Sequence, residues 1–370
     1  MAASVERTLA FTGGGTGGHV YPGLAVAARL RELGFGGRMV WLGSGKESDR
    51  SAVEAAGIEF RALPAGKLRR SLSLENVADA FRVMAGYAAA LSALKSLRPA
   101  LLFSKGGYVS VPPCAAAAGL GIPYFTHESD LTPGLATRLN ARRAERILVS
   151  YEETRPRFPE EQRGRVLVVG NPVRASVRAG DAARGRAILG VPARLPVVLF
   201  LGGSQGARQV NELALAVLPR LEGLAFVAHQ TGAAGEPPAP DLPGRYRSYG
   251  YIREELPDIL AAADLVVGRA GAGTLWECAA LGKPMVLVPL CGSGTRGDQV
   301  DNARLFQSRG AALALVGDEA GPDALLDAMR ELITDPKRAA AAGAAARELA
   351  GADAADAVAR LILERLGGKA

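Results

Sequence analysis

The stretch Gly13-Gly14-Gly15-Thr16-Gly17-Gly18-His19 decides the fold of this 370-residue chain. It follows the apolar run 8–11 and precedes a helical pattern over 21–33, so it predicts a strand, a turn without side chains and a helix start. Such a turn gathers unpaired main-chain N–H groups in one concavity. The helix dipole adds to their effect, so the concavity favours an anion, usually a phosphate.

A second loop of the same design lies about half a chain away. Gly202-Gly203-Ser204-Gln205-Gly206-Ala207 follows the apolar run 197–201 and precedes a helical stretch over 210–218. One such loop is a weak signal. Two, each opening its own α/β half, predict twin domains that face each other across a cleft.

Short apolar runs alternate with helical patterns along the whole chain, which is the order of parallel sheets with crossover helices. Strands are predicted at 8–12, 38–42, 101–103, 122–126, 147–149, 166–169, 197–201, 225–229, 265–267, 285–289 and 312–315. Pro172 interrupts regular structure, so a hinge is expected at 171–174. We therefore predict one domain over 1–171 and another over 172–352. The Ala-rich stretch 338–366 is expected to be helical, with its end from about 353 packed on the first domain.

The composition indicates the cellular compartment of the protein. Hydrophobic residues make up 48% of the chain, and the three cysteines (Cys114, Cys278 and Cys291) form no C-x-x-C pair, which is typical of a reducing compartment. No signal peptide is visible, and the longest uncharged stretch, 106–126, is interrupted by prolines and glycines. These features predict a cytoplasmic protein without a transmembrane helix.

The net charge of +7 is unevenly distributed. Residues 1–171 hold 22 Lys and Arg against 15 Asp and Glu, whereas 172–370 hold 22 of each kind. A solvated basic surface is the plain interpretation, and attraction to an anionic membrane or a phosphate-bearing partner is the functional one. Nucleic acid is not expected as a partner, because no basic run interleaves with aromatic residues.

The first loop does not fit a dehydrogenase, although Gly13, Gly15 and Gly18 have the G-x-G-x-x-G spacing. That class needs an acidic residue at the tip of the second strand, and 40–43 contains none. The loop ends instead in His19, where a helix dipole should keep the imidazole neutral, as a general base requires. A capping or packing histidine is the alternative.

The second half has a further phosphate-type turn at 268–274, followed by Glu277 on a helix. A carboxylate there can accept hydrogen bonds from ribose hydroxyls, although a helix-start Glu favoured by the dipole is the plain alternative. No D-x-D pair or metal-spaced cluster is present, so we expect neither metal nor cofactor. Helix N-termini and Arg174 would then stabilise a leaving diphosphate.

These residues carry a resemblance to the MurG family, bacterial transferases that add N-acetylglucosamine to lipid I to make lipid II. The matching stretches are Gly14–Gly23, Gly106–Ser110, His127-Glu128, Gly170–Arg174, Gly202–Arg208, His229-Gln230 and Gly271–Glu277, with Gln299 beyond. The resemblance implies a GT-B architecture of two Rossmann-like domains, with the lipid acceptor on the first and UDP-GlcNAc on the second. It also implies inverting, metal-independent transfer to the 4-hydroxyl of the muramoyl sugar.

The resemblance assigns roles to individual residues. His19 and Glu128 are the catalytic candidates, and either is a candidate base. The donor contacts are Thr16, Gly17, Gly18, Asp130, Arg174, Ser204, Ile252, Ala272, Gly273, Thr274, Leu275, Trp276, Glu277 and Gln299. The acceptor contacts are Gly14, Gly15, Gly106, Gly107 and Tyr108.

Two motifs depart from the family pattern. The usual H-E-Q-N is here His127-Glu128-Ser129-Asp130, which puts a carboxyl where an amide is expected and affects the acceptor or sugar contact. The usual paired Gln or His-Gln is Asp298-Gln299, beside an unusual insert that begins at Cys291.

The resemblance also implies a peripheral protein on the cytoplasmic face of the plasma membrane, with cell-wall synthesis proteins as further partners. An apolar patch ringed by cations in the first domain would suit docking on anionic lipid. Its residues are Leu68, Leu72, Leu74, Val77, Phe81, Met84, Lys67, Arg69, Arg70, Arg138, Arg142 and Arg143. A core-facing helix with solvated charges is the alternative.

Three other functions stay open at this point. The chain could be another lipid-acceptor glycosyltransferase, such as one that acts on diacylglycerol. It could be a UDP-GlcNAc 2-epimerase, although the acidic and basic set needed to abstract the C2 proton is not visible. It could also be a non-catalytic partner that binds a sugar nucleotide, against which the intact first loop and its histidine argue.

Overall fold

The computed structural model describes residues 7–66, 74–203, 206–232, 242–292 and 295–367, without the side chains of 74–78 and 80. The chain divides into two compact units. Unit 1 comprises the chain through Pro172 together with the part from Ala352 onward, and unit 2 comprises Val173–Gly351. Each unit is a Rossmann-like α/β domain with its own parallel sheet.

Unit 1 contains a seven-stranded parallel sheet with the strand order β3-β2-β1-β4-β5-β6-β7. Its strands are β1 (Leu9–Thr12), β2 (Met39–Ser44), β3 (Glu59–Leu63), β4 (Leu101–Ser104), β5 (Tyr124–Glu128), β6 (Arg146–Val149) and β7 (Val166–Val168). The helices between them are α1 (Gly17–Glu32), α2 (Glu47–Ala55), α3 (Leu74–Leu97), α4 (Val111–Gly119), α5 (Leu135–Ala141) and α6 (Glu160–Arg163). Short 3₁₀ helices span Tyr108–Ser110 and Glu152–Arg157.

Unit 2 contains a six-stranded parallel sheet with the order β10-β9-β8-β11-β12-β13. Its strands are β8 (Val197–Leu201), β9 (Phe226–Gln230), β10 (Tyr246–Tyr249), β11 (Leu265–Gly268), β12 (Met285–Leu287) and β13 (Ala312–Ala314). Its helices are α7 (Ala175–Arg178), α8 (Ala182–Leu189), α9 (Arg208–Val217), α10 (Leu256–Ala262), α11 (Ala272–Leu281), α12 (Asp298–Ser308), α13 (Pro322–Ile333) and α14 (Pro336–Ala350). Leu218–Leu221 and Gly317–Glu319 form 3₁₀ helices.

The last helix, α15 (Ala354–Arg365), belongs to unit 1 and packs on α1. Arg29 and Asp356 form a salt bridge between these two helices, with 2.7 Å between Arg29 Nη2 and Asp356 Oδ1. The helical stretch predicted over 338–366 is therefore two helices. Its break falls at Gly351, which has φ +57, and the Asp353 side chain caps α15 by accepting from the N–H of Ala355.

The core of unit 1 covers both faces of its sheet, as parallel strands require. On β1, Leu9 and Phe11 point into one apolar cluster and Ala10 into the other, and all three are fully buried. Phe11 stacks on Trp41 with ring centroids 5.7 Å apart. Trp41 also donates through Nε1 to the carbonyl of Gly13 at 3.0 Å, which fixes the start of the first glycine loop.

The sequence patterns missed two strands, β3 and β10. Both are edge strands, and their sequences (EFRAL and YRSY) lack the apolar run of a strand covered on both faces. The strand predicted over 122–126 lies instead at Tyr124–Glu128, after Pro123. His127 and Glu128 are therefore part of β5 itself. Among the described residues, no helix combines the length and the apolar character needed to span a bilayer.

Candidate functional site

The functional loops of unit 1 lie where the strand order reverses. β1 and β4 are neighbours in the sheet. The next strand after β1, which is β2, lies on one side of this pair, and the next strand after β4, which is β5, lies on the other. The loop that follows β1 carries Gly13–Gly18, and the loop that follows β4 carries Lys105, Gly106 and Gly107. In open parallel sheets, ligands bind at the carboxyl ends of the strands at such a topological switch point.

The first glycine loop leads directly into α1, which begins at Gly17 inside the motif. Its first N–H groups therefore face the loop, as an anion site requires. Two further groups hold the loop. Asp49, which is 3% exposed, accepts from the N–H of Gly15 at 2.7 Å. The ring of Tyr108 lies over Gly15, where a side chain would come within 2.9 Å of Tyr108 Cε1.

His19 lies in the first turns of α1 and is partly exposed. Its Nδ1 is 3.3 Å from the carbonyl oxygen of Lys105, which can only accept a hydrogen bond. Nδ1 therefore carries the proton, and in the neutral ring Nε2 keeps its lone pair. The ring lies against Gly107, where a Cβ would be only 2.9 Å from His19 Cδ2. Gly107 has φ +74, so glycine suits both the turn and the close approach.

Glu128 ends β5 and is 6% exposed. One carboxylate oxygen accepts from the N–H groups of Ser129 and Asp130 at 2.9 and 3.1 Å, and the other accepts from Gly134 at 2.9 Å. The carboxylate thus organises the loop between β5 and α5. These bonds occupy three of the roughly four lone-pair sites of a carboxylate, so the geometry suits a brace for the loop and leaves room for a proton only on the oxygen that faces Gly134.

Lys105 is a residue that the sequence patterns did not single out, and it is only 1% exposed. Its Nζ bonds His127 Nδ1 at 2.9 Å and donates to Ser129 Oγ. Burial lowers the pKa of Lys105 to about 7, against the opposing effect of the carboxylates of Glu128 and Asp130. A lysine directly after an apolar strand, in Phe103-Ser-Lys-Gly-Gly, was the signal available in the sequence.

The same network fixes His127. Its Nε2 donates to the carbonyl of Gly170 at 2.8 Å, so Nδ1 is the acceptor for Lys105. Burial, together with the charge of Lys105, holds the pKa of His127 well below its usual value. His127 is therefore a buried part of this network, whereas the ring of His19 is partly exposed.

Unit 2 repeats the arrangement at its own switch point, between β8 and β11. The loop after β8 contains Gly203 and Gly206, with φ +75 and +80. A side chain at Gly206 would come within 2.7 Å of the carbonyl of Thr231, so this turn also needs glycine. Ser204 lies outside the described residues, so its predicted contact with the diphosphate stays a prediction.

After β11, α11 begins at Ala272. Gly273 and Thr274 lie in its first turn, where the unpaired N–H groups of a helix start are found. Leu275 and Trp276 are buried, at 0% and 2% exposure, so only their main chain could contact a ligand.

Glu277 and Arg174 meet in unit 2. Arg174, the residue before α7, donates through Nη2 to Glu277 Oε1 at 2.9 Å, and both side chains are partly exposed. Both residues are predicted to contact UDP-GlcNAc. They are separated by 103 residues in sequence, and the fold brings them into direct contact. The pair keeps the Glu277 carboxylate at the carboxyl edge of the sheet, where hydroxyl groups of a ligand could also reach it.

Ile252 and Gln299 lie at the same edge of the sheet. Ile252 is buried, and its N–H donates to Gln230 Oε1 at 3.0 Å. A nucleobase that accepts a hydrogen bond from this N–H would replace the Gln230 side-chain oxygen as its acceptor. Gln230 belongs to the sequence motif His229-Gln230. Gln299, at the start of α12, accepts from the N–H of Leu290 through Oε1 at 2.9 Å, which leaves its amide NH₂ to donate.

Arg269 also supports this edge, although no role was predicted for it. It donates to Gln209 Oε1 and to the carbonyl of Val288, at 2.8 and 3.0 Å, and so links the starts of α9 and α11 to the end of β12. Burial lowers the pKa of its guanidinium. Within the described ranges, no group of three or more His, Cys, Asp or Glu side chains is placed to hold a metal ion.

Comparison with known proteins gives the family. The glycosyltransferase family 28 N-terminal domain matches residues 9–149, and the C-terminal domain of the same family matches residues 197–361. A protein of Treponema denticola named UDP-N-acetylglucosamine--N-acetylmuramyl-(pentapeptide) pyrophosphoryl-undecaprenol N-acetylglucosamine transferase is 45% identical over an alignment of 345 residues, and the match covers 88% of each chain. A Bacillus cereus protein with the same name and the suffix 2 is 37% identical over 88% of this chain and 91% of its own.

A solved structure agrees at the level of fold. The crystal structure of Acinetobacter baumannii MurG superposes with a TM-score of 0.72 at 24% identity, and covers 97% of this chain and 99% of its own. The match runs through both units and therefore supports the GT-B fold class. With the matches to both family domains and the 45% identity, the chain belongs to glycosyltransferase family 28 and, within it, to the MurG family.

Proposed function

We propose that the protein transfers N-acetylglucosamine from UDP-GlcNAc to the 4-hydroxyl of undecaprenyl-diphosphoryl-N-acetylmuramoyl-pentapeptide, the product being lipid II. The relatives that share 45% of the sequence carry the name of this reaction. The structural observation behind the proposal is a switch-point glycine loop in each unit, the first of which ends in His19 with Nε2 as its unprotonated ring nitrogen.

Each unit has its own task in this proposal. Unit 1 holds the acceptor diphosphate on the loop amides of Gly14–Gly18 and on the Gly106–Tyr108 turn. Unit 2 holds the nucleotide, with the diphosphate on the loop after β8 and on the start of α11. Glu277 accepts from the ribose hydroxyls, Ile252 reads the uracil through its main chain, and Gln299 donates to the sugar.

The chemical step is a single inverting displacement. The acceptor 4-oxygen forms a bond to the anomeric carbon while the bond from that carbon to the diphosphate oxygen breaks, and UDP leaves with the electron pair. His19 Nε2 takes the hydroxyl proton, which makes the oxygen a stronger nucleophile. Glu128 contributes by holding the loop after β5 through its three N–H contacts.

Protein groups stabilise the negative charge that develops on UDP as it leaves. Helix-start N–H groups and a nearby guanidinium stabilise a diphosphate where its charge grows. Arg174 and the N-terminus of α11 supply these groups in unit 2. We therefore infer that the transfer needs no divalent metal, and that excess EDTA leaves the rate unchanged.

The assay that tests the function uses UDP-GlcNAc with a water-soluble lipid I analogue, and runs diacylglycerol in parallel. We expect UDP release coupled to a disaccharide product whose new linkage is β, because the donor linkage is α and the displacement inverts it. Transfer to diacylglycerol alone would instead support the alternative acceptor. Conversion of UDP-GlcNAc to its 2-epimer without an acceptor would support the epimerase.

A substitution at Gly107 tests the position of His19. We expect Gly107→Ala to lower kcat at least tenfold, because the new Cβ would lie 2.9 Å from His19 Cδ2 and push the ring from its hydrogen bond with Lys105. A side chain at φ +74 and ψ 159, a region that essentially only glycine occupies, also costs roughly 1–3 kcal/mol of stability. The measurements are kcat with the lipid I analogue and the free energy of unfolding.

Gly121→Ala is the matched control. Gly121 has φ +69, but no atom lies within 4 Å of the position that an added Cβ would take. It should therefore lose only the stability that a side chain costs at positive φ, and keep full activity. Equal kcat values in the two variants would contradict the proposed packing of His19.

We also infer that unit 1 docks on an anionic membrane surface. Phe81 and Met84 on α3 are both 67% exposed, which is unusual for large apolar side chains that lie close together on one helix. α4 contacts both α3 and α5, and Arg138, Arg142 and Arg143 at α5 are exposed. Of the predicted patch, Lys67, Leu68, Arg69, Arg70 and Leu72 lie outside the described residues, as do the side chains of Leu74 and Val77.

The double variant Phe81→Asp/Met84→Asp should lose at least tenfold in affinity for vesicles that contain phosphatidylglycerol. Each apolar side chain contributes roughly 1.5–3 kcal/mol when buried, and a cation near the surface contributes roughly 1 kcal/mol. Co-sedimentation with vesicles at low and high salt measures both effects. Leu242→Asp, which replaces a 39%-exposed leucine of unit 2, is the control. Binding that ignores salt, lipid charge and the double substitution would contradict the docking proposal.

A further inference from the structure

Gln230 lies between the two parts of unit 2 that are proposed to hold the nucleotide. It is the last residue of β9, and the sheet register pairs it with Leu201 at the end of β8 and with Tyr249 at the end of β10. The loop after β8 is the proposed diphosphate site, and Ile252, which follows β10, has the N–H proposed to read uracil. Gln230 is also half of the motif His229-Gln230, to which the proposed transfer assigns no role.

The side-chain amide of Gln230 is hydrogen-bonded at both ends. Nε2 donates to the carbonyl oxygen of Gly203 at 3.3 Å, and Oε1 accepts from the N–H of Ile252 at 3.0 Å. A carbonyl can only accept and an N–H can only donate, so these two partners fix the orientation of the amide. The side chain is buried, with the residue 4% exposed, so an unpaired end would be costly. One buried amide therefore joins the loop after β8 to the segment after β10.

The main chain around Gln230 is held on both sides. The carbonyl oxygen of Gln230 accepts from the N–H of Gly202 at 3.1 Å. The next residue, Thr231, donates to the carbonyl of Tyr249 at 2.9 Å, and its own carbonyl accepts from Asn211 Nδ2 on α9 at 2.9 Å. A ligand that competes for one end of the amide therefore acts on the Gln230 side chain and not on the strand.

The two ends of the amide respond to a nucleotide in opposite ways. A uracil carbonyl oxygen that binds the N–H of Ile252 must replace Gln230 Oε1, so this end competes with the base. The oxygens of a diphosphate are acceptors and form no hydrogen bond with the Gly203 carbonyl, which is an acceptor as well. The bond from Nε2 to Gly203 therefore stays in place when a diphosphate binds, and it supports the loop.

We propose that Gln230 makes unit 2 selective for a whole uridine nucleotide over the nucleoside. Its donor end holds Gly203, so the loop after β8 keeps the shape that binds a diphosphate. Its acceptor end covers the N–H of Ile252 until the base replaces it, and the diphosphate contacts offset the cost of that exchange. Uridine alone has no such compensation. The proposal deepens the proposed function and rests on it for the identity of the base.

Calorimetry with uridine and with UDP measures the two ends of the amide separately. Gln230→Met removes both hydrogen bonds at nearly the same side-chain length. We expect this variant to bind uridine about three- to tenfold more tightly, because the N–H of Ile252 has lost its competitor. The ratio of the Kd for uridine to the Kd for UDP should fall about tenfold or more, because the loop has also lost its support.

Gln230→Glu isolates the donor end. Its carboxylate can accept from the N–H of Ile252 but cannot donate to Gly203. The Kd for uridine should stay within about twofold of the wild type, while the ratio of the two Kd values falls about tenfold, and this holds even where Gln230→Met does not fold. A merely structural role would weaken both ligands together. Weaker uridine binding in Gln230→Met, or an unchanged ratio in either folded variant, would overturn the proposal.

Gln307→Met is the matched control. Gln307 is a glutamine of unit 2 whose Oε1 also accepts a main-chain N–H, that of Ala314 at 2.7 Å. Ala314 ends β13, which is the edge strand opposite β10 in the same sheet. We expect Gln307→Met to leave both Kd values unchanged. A change in the ratio as large as that of Gln230→Met would contradict a specific role of Gln230.

Sugar transfer by the wild type separates this proposal from the proposed function. Transfer to the lipid I analogue, with an unchanged ratio of Kd values in the Gln230 variants, would keep the function and overturn the role of Gln230. The expected changes in a protein that binds UDP but transfers no sugar would refute the transfer and leave the role of Gln230 standing.

Discussion

His19→Ala is expected to lower kcat for transfer to the lipid I analogue by about 10²- to 10⁴-fold, the usual contribution of a positioned general base. The reason is local. The carbonyl of Lys105 fixes the proton of His19 on Nδ1, so Nε2 is the nitrogen that can take the hydroxyl proton. UDP should still bind to the variant with unchanged Kd, since its proposed site is in unit 2. Steady-state kinetics and calorimetry with UDP measure the two quantities.

Glu128→Gln is the comparison that decides between the two candidate bases. Its amide NH₂ would face a main-chain N–H that now donates to a carboxylate oxygen, so the loop after β5 should be disturbed and activity reduced. The acidic limb of the kcat profile should nevertheless persist in Glu128→Gln and disappear in His19→Ala. An acidic limb that survives in His19→Ala but not in Glu128→Gln would transfer the role of base to Glu128.

Glu277→Ala is expected to raise the Kd for UDP about 10- to 150-fold. Hydrogen bonds that involve a charged group contribute roughly 1.5–3 kcal/mol, and each 1.4 kcal/mol corresponds to a factor of ten. In the structure, the Glu277 carboxylate is held by Arg174 at 2.9 Å and is still 20% exposed, so it can accept from ribose hydroxyls as well. Calorimetry with the isolated protein measures the Kd.

The ligand 2′-deoxy-UDP separates the direct role from an indirect one. If Glu277 accepts from the ribose, the variant should discriminate much less than the wild type between UDP and 2′-deoxy-UDP. If Glu277 only positions Arg174, both ligands should weaken equally, which would contradict the ribose contact. Glu222→Ala removes an exposed ion pair of unit 2, with Arg245 at 2.7 Å, and should leave both Kd values unchanged.

The family and the division into α/β halves could be predicted from local sequence alone. A glycine-rich loop acts through its own backbone, so the residues that form it are neighbours in the chain. The loops Gly13–Gly18 and Gly202–Gly206 can therefore be recognised from the sequence. The edge strands β3 and β10 were not, because a strand with one free edge needs no continuous apolar run.

The sequence by itself therefore determined the two glycine loops, the parallel α/β order and the position of His19, since each depends on residues within a few positions of one another. Only the tertiary structure decided what each side chain does. Lys105 reaches Ser129 across 24 residues, Asp49 reaches Gly15 across 34, and Arg174 reaches Glu277 across 103. These contacts depend on which strands become neighbours in the sheet, and no spacing along the chain encodes that. Glu128 is the contrast, because its carboxylate accepts from N–H groups of its own loop, at Ser129, Asp130 and Gly134, and its role as a base stays a prediction.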